Sequence, residues 1–279
     1  MKNLFDKSSS DCSKLITKNY STSFSLAIKL LSPKIQNDIY AIYGFVRCAD
    51  EIVDTFNDYN QEELLTEFEI DFYKAYDRKI SLNPVLNAFQ DVVHRYDIMD
   101  LVAPFMKSMR MDLNKKEYVT IREYEEYIFG SADVVGLMCL KIFVNGDENK
   151  YNQLKDSAMK LGSAFQKVNF LRDLKHDYET LGRIYFPNIN LLTLSNDDKN
   201  KIIQEIEDDF KIALIGIKNL TKEAKFGVYT AYKYYISLLK KISKTQPEEI
   251  LNKRIRVDDF SKLYIIGKSY VKYQLNYTS

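Results

Sequence analysis

The sequence predicts an all-α fold, and three observations carry that prediction. Only nine glycines and five prolines punctuate the 279 residues. Long apolar-polar patterns run between them without sustained alternation. No series of short strand-like segments separated by turn pairs appears. In chain order, helices are expected at about 10–18, 33–56, 61–77, 85–95, 99–114, 121–144, 148–178, 198–220, 223–245 and 258–275. Ser32 and Pro33 mark the start of the second, as an N-cap followed by proline at the first helical position. "NGDENK" at 145–150 separates the sixth from the seventh, and "GRIYFPNIN" at 182–190 is the loop after the seventh.

No repeat period and no Pro- or Ser-rich linker divides the chain, so residues 1–279 read as a single domain. Nearly half the residues are hydrophobic, Tyr and Phe number 21 and 16, and the net charge is +1. Such a balance gives no large basic field for gripping nucleic acid. Cys12, Cys48 and Cys139 are scattered and odd in number, which suits packing in a reducing compartment better than disulfides or zinc. The first residues carry no apolar stretch of secretory type, and the longest apolar run, 134–140, is far short of the roughly 20 residues that span a bilayer. A cytoplasmic protein is expected. No pattern specifies an oligomeric state.

The stretch "YGFVRCADEIVDTF", from Tyr43 to Phe56, reads as a helix apolar on most sides that nevertheless carries Arg47, Asp50, Glu51 and Asp54. At 100° per residue, Tyr43, Arg47, Asp50 and Asp54 fall on one narrow stripe, while Ile39, Ile42, Phe45, Val46, Ile52, Val53 and Phe56 lie off it. The spacing recurs in "LGSAFQKVNFLRDLKHD", where Gln166, Asn169, Asp173 and Asp177 share a stripe. There Ala164, Phe165, Val168, Phe170, Leu171 and Leu174 form the apolar surround, and Leu161 with Gly162 lets a neighbour approach closely.

One such stripe alone reads as the solvated face of a surface helix. Two of them, each joined by polar or basic neighbours on the same face, favour a shared cavity. Carboxylates about 6 Å apart across such a cavity repel by roughly 3 kcal/mol per pair at an effective dielectric near 20. Something positive must sit between them. Hard oxygen donors without a Cys or His cluster point to Mg²⁺, with Mn²⁺ as a substitute, completed by water and substrate phosphates.

These residues resemble the squalene and phytoene synthases, head-to-head prenyl transferases with an isoprenoid-synthase helical bundle around a central cavity. The matching pieces are "YSTSF" at 20–24, "YGFVRCADEIVD" at 43–54, "SMRMDL" at 108–113, "YIFGSADVVG" at 127–136, and "LGSAFQKVNFLRDLKHD" with "GRIYFP". The last third matches more loosely, around "AYKYYISLL" and "KRIRV". The resemblance implies that Asp50 and Asp54 are the first metal-binding aspartates, with Asn169, Asp173 and Asp177 as the second set and Gln166 alongside. It places Ser21, Ser23, Phe24, Tyr43, Arg47 and Arg172 at the diphosphate and the first part of the prenyl chain. Tyr127 matches a tyrosine that handles a proton near the leaving diphosphate, and Tyr235 and Arg254 match a later Tyr and Arg of the site. Two departures stand out: Asp133 occupies a normally small position, and Glu51 replaces an aspartate.

By the same resemblance two prenyl diphosphates join through a cyclopropyl intermediate. Squalene synthases end with hydride from NADPH, phytoene synthases with proton loss. The sequence looks most like bacterial phytoene synthases and lacks the anchoring tail of eukaryotic squalene synthases, so two geranylgeranyl diphosphates are the expected substrates and NADPH is not expected. The alternatives are squalene or dehydrosqualene synthesis from farnesyl diphosphate, a terpene cyclase, and a non-catalytic scaffold or assembly factor of the same fold, which would be expected to have lost the aspartates.

His94 and His176 each follow an aspartate by three residues, a faint echo of di-iron spacing. They read instead as a surface residue and a residue beside the second stripe. Near the end, Phe260, Leu263, Tyr264, Gly267, Val271 and Gln274 share a face that is expected to pack, with peripheral membrane contact as the alternative because a C40 product does not enter water.

Overall fold

The computed structural model describes residues 2–187, 189 and 194–275. Most of its helices begin where a short polar side chain can accept from a free backbone N–H. α1 (Lys2–Tyr20) runs directly into α2 (Thr22–Lys29), whose N-cap Ser21 accepts from the Phe24 N–H at 3.2 Å. α3 (Pro33–Asp54) starts as the sequence predicts, with Ser32 capping and Pro33 at its first turn. α4 (Gln61–Arg78), α5 (Pro84–Tyr96) and α6 (Val102–Asn114) follow, the last preceded by a 3₁₀ turn at Met99–Leu101. α7 (Ile121–Ile128) opens with a reciprocal Thr120–Glu123 capping box. After it come α8 (Val134–Phe143), α9 (Glu148–Glu179), α10 (Asn196–Asn219), α11 (Lys222–Lys244), the single turn α12 (Pro247–Ile250), and α13 (Asp259–Leu275). Among the described residues no strand forms; one isolated parallel bridge joins Glu117 to Ile184.

Several expectations need correction. The first helix begins eight residues earlier than expected, and α2 is not expected at all: the sequence "TSFSLAIK" is short, and the Ser21 cap with packing on α11, α1 and α3 fixes it as a helix. The predicted helix 121–144 is broken by a π-helical segment, Phe129–Asp133. Gly130 lets that segment press onto α6, where a Cβ would lie 2.1 Å from Ser108 Oγ and 2.4 Å from the Pro104 carbonyl oxygen. Phe56 lies beyond the end of α3 and is exposed. On α13, Tyr264 and Val271 are exposed, and Ile265, Ile266 and Ser269 turn inward instead. Phe260, Leu263 and Gln274 are outside the described side chains. His94 is half-buried, stacked on the Tyr76 ring at 4.0 Å and bonded to the Tyr76 carbonyl, so it serves packing rather than the surface.

The core forms around α3, whose apolar sides pack on α1, α5, α6 and α8. Phe45 is fully buried and stacks on Phe89 at 4.0 Å and Phe68 at 5.3 Å. Burial of one such ring contributes about 1.5–3 kcal/mol. α9 is wrapped by α8, α10 and α11. Gly162 allows a close approach of main chain: a Cβ there would sit 2.7 Å from the Ala132 carbonyl oxygen and 3.2 Å from Asp133 Cα. The π segment therefore lies directly on α9, as the Leu161–Gly162 pair suggested. No helix among the described residues is long and apolar enough to cross a membrane.

Candidate active site

Burying α3 and α9 on most sides leaves each helix one polar stripe, and both stripes line one cavity of about 670 Å³. On the α3 wall stand Tyr43, Arg47, Asp50 and Asp54; on the α9 wall stand Gln166, Asn169, Arg172, Asp173 and Asp177. Ser21, Ser23 and Phe24 enter from the start of α2, Tyr127 from α7, Tyr235 from α11, and Arg254 from the segment after α12. The residues that the sequence reading assigned to metal, diphosphate and proton handling are thus brought to the same cavity. His176 also lines it, closer to the second stripe than the sequence suggested.

A second cavity, about 290 Å³ and almost wholly apolar, continues from the first. The two share Phe24, Tyr43, Val46, Ser131, Gln166 and Asn169, which form the junction. Aromatic rings cluster there: Phe165 stacks on Tyr235 at 3.9 Å, and Phe24 lies about 6 Å from Tyr43, Phe165 and Tyr235. Farther in, Leu31, Leu140, Phe143 and Leu154 line the apolar chamber. A polar group and a long hydrocarbon joined end to end would fit these two volumes in series.

The charges are arranged in pairs. Arg47 donates to Asp50 at 2.6 Å and to Glu51, so the unusual Glu51 is a second carboxylate holding the arginine. Arg47 also lies over the Tyr20 ring at 4.5 Å. Arg183 donates to Asp54 at 2.6 Å. Asp173 is paired with Arg172, whose Nε lies 3.0 Å from each carboxylate oxygen, and with Arg254 at 2.7 Å. Among the described residues Asp177 has no such partner. Its carboxyl is pushed up to about 8, first by burial and then by the charges of Asp173 and Asp54. Asp50 is pushed up to about 7 by burial and by neighbouring Asp54. Burial thus outweighs the nearby arginines at these two carboxyls.

Among the described residues no three carboxylate, imidazole or thiol groups converge on one point as a closed metal cage. The donors instead suit ions held by one or two carboxylates each and completed by phosphate oxygens and water, the habit of Mg²⁺. Tyr235 donates to Asn169 at 3.2 Å, holding that amide in the stripe. Burial pushes Tyr235 up to about 12, and burial with Asp112 raises Tyr127 well above the usual tyrosine range, so both remain neutral donors.

Three residues of the site were not assigned from the sequence. Asp112 on α6 accepts from the Tyr127 hydroxyl at 2.8 Å, and burial pushes its carboxyl up to about 7 against the pull of Arg183. Arg183 is buried, and Tyr185 stacks on Phe170 at 4.0 Å. Their signal was present in "SMRMDL" and "GRIYFP", but Arg183 sits in a loop where no helical period reveals its direction. Asp133, at a position expected to be small, turns away from the polar cavity to accept from Ser163 at 2.7 Å.

An all-α bundle with two aspartate stripes facing a polar cavity, backed by an apolar chamber, defines a prenyltransferase of the isoprenoid-synthase kind. A sequence model described as Squalene/phytoene synthase matches residues 17–261, and the chain belongs to that family. It is 27% identical to the 15-cis-phytoene synthase of Synechocystis sp., over 93% of this chain and 84% of that protein. To the 15-cis-phytoene synthase of Enterobacter agglomerans it is 28% identical, over 77% and 79%. To phytoene synthase 1, chloroplastic, of Solanum lycopersicum it is 26% identical over 92% of this chain, and it spans 66% of that protein. Among solved structures, a dehydrosqualene synthase in complex with ligand superposes with a TM-score of 0.83 at 22% identity, over 96% of this chain and 98% of that one. The squalene synthase HpnC from Alicyclobacillus acidocaldarius gives 0.73 at 18% identity, over 85% and 94%.

Proposed function

We propose that the chain, acting as one domain over residues 1–279, condenses two geranylgeranyl diphosphates head to head through a cyclopropyl diphosphate to phytoene. The observation that carries this reading is the junction of the two cavities: paired aspartate stripes on one side, an aromatic gate, and an apolar chamber beyond. Relatives named phytoene synthase support the C20 substrate.

Asp50, Asp54, Asn169, Asp173 and Asp177 would hold Mg²⁺, or Mn²⁺ in its place. When bound, the metal supplies electrostatic stabilisation of the charge that grows on the leaving diphosphate. Arg47, Arg172 and Arg254, now paired to aspartates, would turn their forked donors to phosphate oxygens. Ser21, Ser23 and Gln166 add neutral hydrogen bonds at the same end. Phe24, Tyr43, Phe165 and Tyr235 place ring faces at the junction, where each stabilises an allylic cation by about 0.5–2 kcal/mol and excludes water. Tyr127, whose hydroxyl donates to Asp112, would handle the lost proton. Proton loss needs no NADPH.

The test is a product analysis with purified protein, Mg²⁺ and geranylgeranyl diphosphate, without nicotinamide. A C40 hydrocarbon with a conjugated triene is expected. A C30 hydrocarbon formed only from farnesyl diphosphate would replace this reading with squalene or dehydrosqualene synthesis. No product from either substrate would return the chain to the scaffold reading. Exposed Tyr264, Tyr270 and Val271 on α13 support peripheral membrane contact for release of so apolar a product; failure to sediment with anionic vesicles would remove that part.

A further inference from the structure

The polar cavity contains a charge arrangement that the two aspartate stripes do not account for. Asp112 Oδ2 accepts from the Tyr127 hydroxyl at 2.8 Å. Its other oxygen, Oδ1, is buried without a hydrogen-bond partner, and the nearest cation is Arg183 Nη1 at 3.6 Å. That same nitrogen already donates to Asp54 Oδ1 at 2.6 Å, while Nη2 donates to the Val53 carbonyl at 3.0 Å. One guanidinium is therefore shared unequally between two carboxylates, one on the α3 stripe and one holding the tyrosine.

The backbone beneath Arg183 is pinned. The Arg183 N–H donates to the Asp177 carbonyl at 2.7 Å, the Ile184 N–H to the Lys116 carbonyl at 2.8 Å, and the Tyr118 N–H to the Ile184 carbonyl at 3.1 Å. Freedom remains only in the side chain. Moving Nη1 from 3.6 Å to an ordinary contact with Asp112 Oδ1 takes roughly 0.7 Å.

We propose that Arg183 and Asp112 are positioning residues that tie Asp54 to the Tyr127 hydroxyl. While Asp54 has no other cation, it holds Arg183. Once Asp54 turns to a divalent cation, Arg183 closes on Asp112 as its remaining anionic partner, and the charge-assisted bond locks the carboxylate that orients Tyr127. Loading of the diphosphate end of the cavity thereby sets the tyrosine at the other wall. This inference rests on the prenyl transferase reading of the site and concerns how that site prepares itself.

Two double-mutant cycles on the full chain test it. The first measures Mn²⁺ affinity by electron paramagnetic resonance, without substrate, in the unsubstituted protein, Asp112→Asn, Arg183→Gln and the double variant. Without the Asp112 charge, Arg183 stays on Asp54, so Asp112→Asn should weaken Mn²⁺ binding at least fivefold. In the Arg183→Gln background the same substitution should change it less than twofold. Equal weakening in both backgrounds is what a general loss of negative field gives, and it would overturn the proposal.

The second cycle needs no change at Arg183, so it stands even if Arg183→Gln does not fold. Asp112→Asn should lower kcat at least tenfold with KM within twofold, and should lower it no further in the Tyr127→Phe background. Independent losses from the two substitutions would refute the link to Tyr127. If the unsubstituted protein makes no hydrocarbon, the prenyl transferase reading fails; the Mn²⁺ cycle, run without substrate, is judged separately.

Discussion

Replacing Asp177 with asparagine should make the protein more stable while removing its activity. In the metal-free protein this carboxyl is pushed up to about 8 by burial and by Asp173 and Asp54. An unfolded aspartate titrates near 3.9. Between those values the folded chain keeps a proton that the unfolded chain gives up, so stability falls as pH rises from about 4 to about 8. At about 1.36 kcal/mol per unit, the full shift would cost about 6 kcal/mol above pH 8. The group borders the polar cavity and shares its repulsion with Asp173 and Asp54, so about 1–3 kcal/mol is the expected gain for Asp177→Asn. At roughly 2–4 °C per kcal/mol for a chain of this size, the melting temperature should rise by about 2–12 °C. The assay is thermal unfolding by circular dichroism with chelator present, at pH 4.5 and 8.5. The gain should be near zero at the lower pH and full at the higher. A destabilised variant at pH 8.5, or a gain independent of pH, would refute the reasoning that Asp177 is a strained and unpaired acid.

Three further outcomes follow from the same geometry. Asp50→Ala and Asp173→Ala should each lower turnover by about 10²-fold or more with an unchanged circular dichroism spectrum; retained activity in either would break the model of two facing stripes. Mn²⁺ affinity should rise with pH between about 6 and 8, by up to about tenfold per unit for each proton displaced, because Asp50 and Asp177 are pushed up to about 7 and about 8 and a metal takes only the ionised carboxylate; a flat titration by electron paramagnetic resonance would count against these ligands. Gly162→Ala should cost about 1–3 kcal/mol, since its Cβ would meet main-chain atoms of the π segment at 2.7–3.2 Å and backbone cannot give way as a side chain can; an unchanged denaturant midpoint would show that α9 can shift at no cost.

Much of the site could be read from period alone. Positions on α3 and α9 repeat at offsets of three and four, and a stripe on a helix that is apolar elsewhere has one direction to face. Asp50, Asp54, Asp173 and Asp177 are therefore found together as the sequence implied. The π segment could not be read this way, because whether a turn takes an extra residue depends on what Gly130 meets, and it meets Ser108 and Pro104 from another helix. The α13 face was misjudged for a related reason: its apolar residues and its lysines and serines are spread round the helix, and packing on α11 leaves Ile265 and Ser269 less exposed than Tyr264 and Val271.

By itself, then, the sequence determined the helical class, the two aspartate stripes and the apolar surround that obliges those stripes to face a cavity. These are local properties, set by spacing along one helix. Tertiary structure decided which cation stands against each acid: Arg47 with Asp50 three residues away on one helix, but Arg183 with Asp54 from a distant loop, and, among the described residues, none paired with Asp177. It also decided that Asp112 holds Tyr127 and that the polar cavity opens into the apolar chamber. Those pairings join segments far apart in the chain, and a Coulomb interaction depends on distance in space, which no period along a single helix encodes.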